Sequence, residues 1–150
     1  MKMEPHHYGH LAIMTTLSFI AMFILMYAMV DRMANVYPNV NQFYMAGLMA
    51  APMVIIELFV MRGMYPDTKM NMIVGGIALA ALLLFFLGIR AQTAVGDVQF
   101  VKSMIPHHSG AILMCDRATI TDAELKKLCG DIVKGQQEEI DQMKRILARL

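Results

Sequence analysis

Residues 70–89 read MNMIVGGIALAALLLFFLGI, twenty positions without a charge. At 1.5 Å per helical residue such a run matches the ~30 Å hydrocarbon core of a bilayer. Gly75 and Gly76 within it allow a neighbouring helix to come close. On the N-terminal side, residues 11–30 form another uncharged run of twenty. It is too long for the core of a signal peptide, and no clear small-x-small cleavage site follows it. Residues 43–61 form a further run, interrupted by Pro52 and Glu57. The linkers are short: 31–42, with Tyr37-Pro38-Asn39 as its turn, and 62–69. The reading is an all-α chain with three transmembrane helices in residues 1–90.

Composition agrees. Of 150 residues, 57% are hydrophobic and 17% charged, against roughly 45–50% and about 25% in soluble domains. The mean hydropathy of +0.50 points the same way. A net charge of +1 supplies no basic field for nucleic acid, so membrane lipid is the expected surrounding and nucleic acid is not an expected partner. Charge is unevenly placed: residues 1–90 hold five Lys/Arg and four Asp/Glu, whereas residues 91–150 hold eight of each. Three spans put the termini on opposite sides. Lys2, Arg62 and Lys69 share one side, and Arg32, Arg90 and Lys102 the other. The positive-inside count leans slightly to a cytoplasmic N-terminus and an extracytoplasmic C-terminal part.

Residues 97–150 read as a soluble helical hairpin. Thr121-Asp122-Ala123-Glu124 has the form of a capping box opening the second helix. Along that helix Leu125, Cys129, Ile132, Gln136, Glu139, Met143, Ile146 and Leu150 recur in steps of three and four, an a/d seam. The first helix covers about 97–118, with a kink expected at Pro106. About fifty residues bury too little apolar surface alone, so two hairpins are expected to pair as a four-helix bundle in a homo-oligomer.

The chemistry concentrates in Met104-Ile105-Pro106-His107-His108, followed by Met114 and Cys115. With Met104 set at zero and about 100° per residue, Cys115 falls near 20°, His108 near 40°, His107 near −60° and Met114 near −80°. Lys102, Ser109 and Arg117 point the other way. The ligand-type residues therefore share the face expected to pack on the second helix. Folding the hairpin about Thr119–Ile120 puts His107 opposite Ile132, His108 opposite Asp131 and Met104 near Gln136, with Glu139 a turn beyond, beside Phe100. Thioether, imidazole and thiol together suit Cu(I), while Glu with His alone would suit iron or zinc. Asp131, Gln136 and Glu139 are candidates to orient the imidazoles or to ligate in their place. In this register Cys115 and Cys129 lie about five residues out of level, roughly 7–8 Å along the axis. No disulfide is expected between them, and Cys115 remains an alternative ligand.

Two further groups stand out. Met45, Met49, Met53 and Glu57 follow at intervals of four down the second span. Met is an adaptable packing residue, but an intramembrane carboxylate is functional by default, so this stripe is a candidate path for Cu(I). At the N-terminus His6, His7 and His10 form a possible metal cluster or an incidental histidine tail. No activated nucleophile, phosphate loop or catalytic triad is visible, and an enzyme is not expected.

The stretch 100–147, with Met104-Ile105-Pro106-His107-His108, Gln136, Glu139-Ile140 and Met143, resembles the bacterial domain of unknown function 305 family. That family has a ferritin-like helical fold and includes the periplasmic copper-binding protein CopM. The three preceding spans resemble a membrane-anchored subgroup found with metal-resistance genes. The resemblance implies copper or other metal binding at Met104, His107 and His108, extending to Met114 and Met143, at a bacterial inner membrane. It does not imply transport. Ser109 stands where Gln is common in the family, and Cys115 where Ala is common. Three function classes follow: a Cu(I)-binding membrane protein for metal tolerance or trafficking, a Cu(I) conduit through the spans, and a self-assembling structural module without metal.

Overall fold

The computed structural model describes residues 6–150, which form five α-helices and two short 3-10 turns. They divide into two compact units. One comprises residues up to Leu25 with Asn41–Thr93, and the other Met26–Val40 with Ala94–Leu150.

The first unit contains α1 (His6–Leu25), α2 (Val40–Val60) and α3 (Thr68–Ala91). Three segments, His7–Met29, Val40–Val60 and Thr68–Ala91, are long and apolar enough to cross a membrane. Their bounds lie within a few residues of those expected. Large apolar side chains point outward all round, among them Phe59, Leu84 and Leu25. That distribution suits lipid rather than water as the surrounding. The inward side holds small residues, Ala46, Gly47, Ala50 and Ala51 on α2 and Ala78 on α3, beside a cluster of Leu11, Val54, Leu58 and Tyr65. A Cβ at Gly47 would stand 2.4 Å from the Phe85 ring, so only glycine lets α3 come this close. α2 continues through Pro52 without a break. Asp67 caps α3 by accepting from the Met70 N–H at 3.0 Å. At the far end Gln92 takes a left-handed conformation, and its side chain exchanges two 3.1 Å hydrogen bonds with that of Asn41. Between the helices lies an apolar cavity of about 580 Å³, lined among others by Leu11, Phe19, Gly47, Val54, Ala78 and Phe85.

The second unit pairs α4 (Asp97–Arg117) with α5 (Ala123–Leu147). Val101, Ile105, Ile112 and Ile140 are its buried core, with Tyr37, Val133, Met143, Ile146 and Leu147 packed against them. α4 is helical through Pro106. The stretch Met26–Val40, read from sequence as the end of a span plus a linker, belongs to this unit. It packs on α4, and its Tyr37 joins the hairpin core. Asp31 N–H donates to Ser109 Oγ at 2.8 Å, and Met29 O lies where a Cβ on Gly110 would just touch it. Ser109, expected to point outward, is fully buried there.

Three further expectations give way. Asp122 rather than Thr121 caps α5, accepting from Leu125 N–H at 2.8 Å. The fully buried seam residue is Ile140, next to Glu139, while Leu125 and Leu150 at the ends of the expected seam are exposed. Finally, Cys115 and Cys129 are joined by a disulfide with Cα atoms 5.3 Å apart. The disulfide follows from the connection. Residues 118–122 are non-helical and run past the end of α4 before α5 begins, so the first turn of α5 overhangs and the two cysteines come level.

Candidate metal site

The 3.6-residue period of α4 sorts its side chains by burial. Val101, Ile105, Ser109 and Ile112 form the buried stripe. Met104, His108 and Cys115 run half-buried along its edge, whereas His107 and Met114 are exposed, Met114 by 53%. The expected single inward face therefore holds for three of the five. Burial of α4 on two sides, by α5 and by Met26–Val40, turns the buried arc towards Ile105 and Ser109 and leaves His107 and Met114 outside.

His108 is the centre of what remains. Its Nδ1 lies 3.0 Å from Glu139 Oε2, with side-chain exposures of 13% and 55%. Nδ1 is shielded from solvent and has no aligned hydrogen-bond partner, so the carboxylate approaches it off the direction of a ring N–H. Burial pushes the His108 pKa below its ordinary value. The neighbouring His107 adds to this, and the Glu139 carboxylate pulls the other way without overcoming burial. The result favours a neutral imidazole, the form that ligates a metal. The His107 and His108 rings stand 6.0 Å apart at 61°.

The register follows from helix geometry. Helical side chains lean towards their own N-terminus. In an antiparallel pair, long side chains therefore meet from residues a little further along each helix than short ones. Cys115 with Cys129 marks the level for short chains, and His108 with Glu139 for long ones. One turn away from the loop, the same offset sets Met104 level with Met143, which packs on the hairpin core. Glu139, placed beside Phe100 by the sequence register, is thus the direct neighbour of His108. Asp131, placed opposite His108, is exposed, and Gln136 is half-buried. The six-residue step between the last residue of α4 and the first of α5 was the signal for this shift.

Among the described residues no three His, Cys, Asp or Glu side chains converge as a metal cage. Cys115 is committed to the disulfide. In the first unit Met45 and Met49 are exposed on the outer side of α2, and neither they nor Met53 line the interhelical cavity. Glu57 instead accepts from Tyr65 OH at 3.2 Å, beside a chain of hydrogen bonds in which Tyr8 OH donates to Asn71 Oδ1 and Asn71 Nδ2 to Tyr65 O. The cavity between these helices is thus lined without the methionine stripe. At the N-terminus Met1 and Met3 lie outside the described residues, as does the side chain of His6. The His7 ring packs edge-on to Tyr65 at 6.5 Å, and His10 is exposed.

The family described as Domain of unknown function (DUF305) matches residues 61–148. The chain belongs to the DUF305 family. The match takes in α3 and the whole α4–α5 hairpin, more than half of the sequence. An uncharacterized protein of Acanthamoeba polyphaga mimivirus is 31% identical over 138 residues, covering 90% of this chain and 89% of its own length. No solved structure shows a significant match. The mimivirus relative extends the similarity beyond the DUF305 segment into the first two spans.

Proposed function

We propose that this DUF305 protein is a membrane-anchored, non-enzymatic metal-binding protein that holds a soft transition-metal ion, Cu(I), on its hairpin in metal tolerance or trafficking. The observation that carries the reading is the unsatisfied, buried Nδ1 of His108 standing 3.0 Å from a carboxylate oxygen of Glu139. A buried ring nitrogen without an aligned partner is costly, and an ion shared with the carboxylate would satisfy it. Two donors bound at about 2.0–2.2 Å and subtending roughly a right angle lie about 3 Å apart. Met104 and Met143, level one turn away, supply the thioethers that favour Cu(I) over zinc or iron. His107 is the outer imidazole, and the exposed Met114 and Asp131 are not assigned to this ion. Pairing of two hairpins in a homo-oligomer would bring a second such set.

The disulfide supports an extracytoplasmic hairpin, because such bonds persist in oxidising compartments. With three spans the N-terminus is then cytoplasmic, in an inner or plasma membrane.

The test is copper content by mass spectrometry on detergent-purified protein, loaded anaerobically with Cu(I) and washed with chelator. Near-stoichiometric copper is expected in the wild type, a large loss in His107→Ala/His108→Ala, and a partial loss in Glu139→Gln. Circular dichroism checks that each variant stays helical. Equal copper in the wild type and the double variant would overturn the site. A chain that assembles fully and retains no copper would instead be the structural module.

A further inference from the structure

The reading above leaves the two cysteines unused. They lie at the loop end of the hairpin, Cα atoms 5.3 Å apart. Both are half-exposed and line an open cleft of about 360 Å³, whose walls also include Asp116, Ile120, Lys126 and Gly130. We propose that Cys115 and Cys129 form a redox-gated soft-metal site, closed as the disulfide and, once reduced, holding one Cu(I) between two thiolates in this cleft.

Four features support it. The cleft gives both a reductant and an ion access to the sulfurs, which a buried structural disulfide would deny. Gly130, next to Cys129, has nothing within 4 Å of the position its Cβ would take, so the space beside the sulfur is open. Lys126 lies one helical turn before Cys129 and in the same cleft wall. Its cation favours the thiolate form and offsets the charge of a bis-thiolate, with Asp116 the opposing charge on the α4 wall. Finally, the hairpin core of Val101, Ile105, Ile112 and Ile140 excludes both cysteines, so opening the bond leaves the packing that holds α4 on α5. Two sulfurs bound to one soft ion at about 2.3 Å each stand roughly 4 Å apart. Cysteines on facing helices reach this from the disulfide by rotating their side chains.

The chemistry balances. One thiolate of a dithiol oxidoreductase, or the first of two small thiols, attacks one sulfur to give a mixed disulfide. The second thiol resolves it, leaving as the dithiol's internal disulfide or as the disulfide of the two small thiols. The S–S bond breaks, and two electrons and two protons arrive as two thiols. Binding of one Cu(I) then forms two Cu–S bonds and releases both protons. The site does not rest on His108, which lies seven residues back along α4, about 10 Å along the axis.

The experiment uses the full chain in detergent, oxidised or reduced with a phosphine that is then removed. Both forms are titrated anaerobically with Cu(I) against a colorimetric chelator, while the ultraviolet thiolate-to-copper band is followed. The reduced protein is expected to bind one equivalent more than the oxidised, with the band. This gain should vanish in Cys115→Ser, in Cys129→Ser and in reduced wild-type protein alkylated at both thiols, and persist in His108→Ala. Alkylation acts on the native chain, so its result does not depend on a variant folding. The proposal is overturned by equal stoichiometry in the two redox states or by a gain that survives alkylation. It is also overturned if mild oxidation fails to remove two mass units within one chain.

Discussion

Ser109 Oγ donates to the Asp31 carboxylate and accepts the Asp31 backbone N–H, joining residues 78 positions apart. Arg32 Nε, 2.7 Å from Oδ2, and Asn35 Nδ2, 2.6 Å from Oδ1, complete the shell around that carboxylate. Burial would raise the Asp31 pKa, but the hydrogen bonds from Ser109, Arg32 and Asn35 together hold it below the usual carboxylate range. Met26–Val40 is keyed onto α4 through this contact.

Ser109→Ala removes the hydroxyl from a site with no solvent and leaves part of the Asp31 shell unmatched. A loss of about 1–3 kcal/mol is expected, read as a fall in the unfolding midpoint of the detergent-solubilised protein. An unchanged midpoint would mean that the two elements are not held together here.

The metal-free protein should lose stability in mild acid. The His108 pKa is depressed from an ordinary value of 6.5 in the folded chain, so the unfolded state binds more protons. The His108 contribution is complete above about pH 6.5 and is lost as pH falls through the lower folded value. His108→Gln should flatten this part of the stability profile between pH 7 and 5. Asp31 contributes with the same sign further down: present above about pH 4 and lost as pH falls through its own depressed value.

Gly47→Ala should destabilise the contact between α2 and α3, because the added methyl would overlap the Phe85 ring. Overpacking of this kind costs roughly 1–3 kcal/mol. Combining it with Phe85→Leu should recover part of the loss. Equal effects of Gly47→Ala in the two backgrounds would show that Phe85 is not the obstacle.

Met45→Leu with Met49→Leu should change little. Both side chains are exposed on the outer face of α2, and volume-conserving apolar exchanges usually stay below about 1.5 kcal/mol even in cores. Copper retention by the hairpin should match the wild type. A large loss of bound copper in this variant would return the methionine stripe to consideration.

The spans, the hairpin and the ends of its first helix were legible in sequence because each depends on local composition. An uncharged run of twenty reports the bilayer thickness, and a 3.6-residue period reports a packed face. The candidate site was half legible for the same reason. Helical spacing put Met104, His108 and Cys115 along one side of α4, yet spacing alone does not say where a buried arc is centred. That arc turned on Ile105 and Ser109, because a distant stretch, Met26–Val40, also packs on α4.

Pairing between helices depended on the course of five non-helical residues. Residues 118–122 carry the chain beyond the end of α4, and the overhang moves α5 along its partner. It brings Cys129 to Cys115 and Glu139 to His108. Which elements form, and which helix faces hold ligand-type side chains, could be read from the linear order of residues, since both are set by neighbours within a few turns. Which of those residues meet became visible in the folded chain, because a loop's path and a distant segment's docking are properties of the whole molecule.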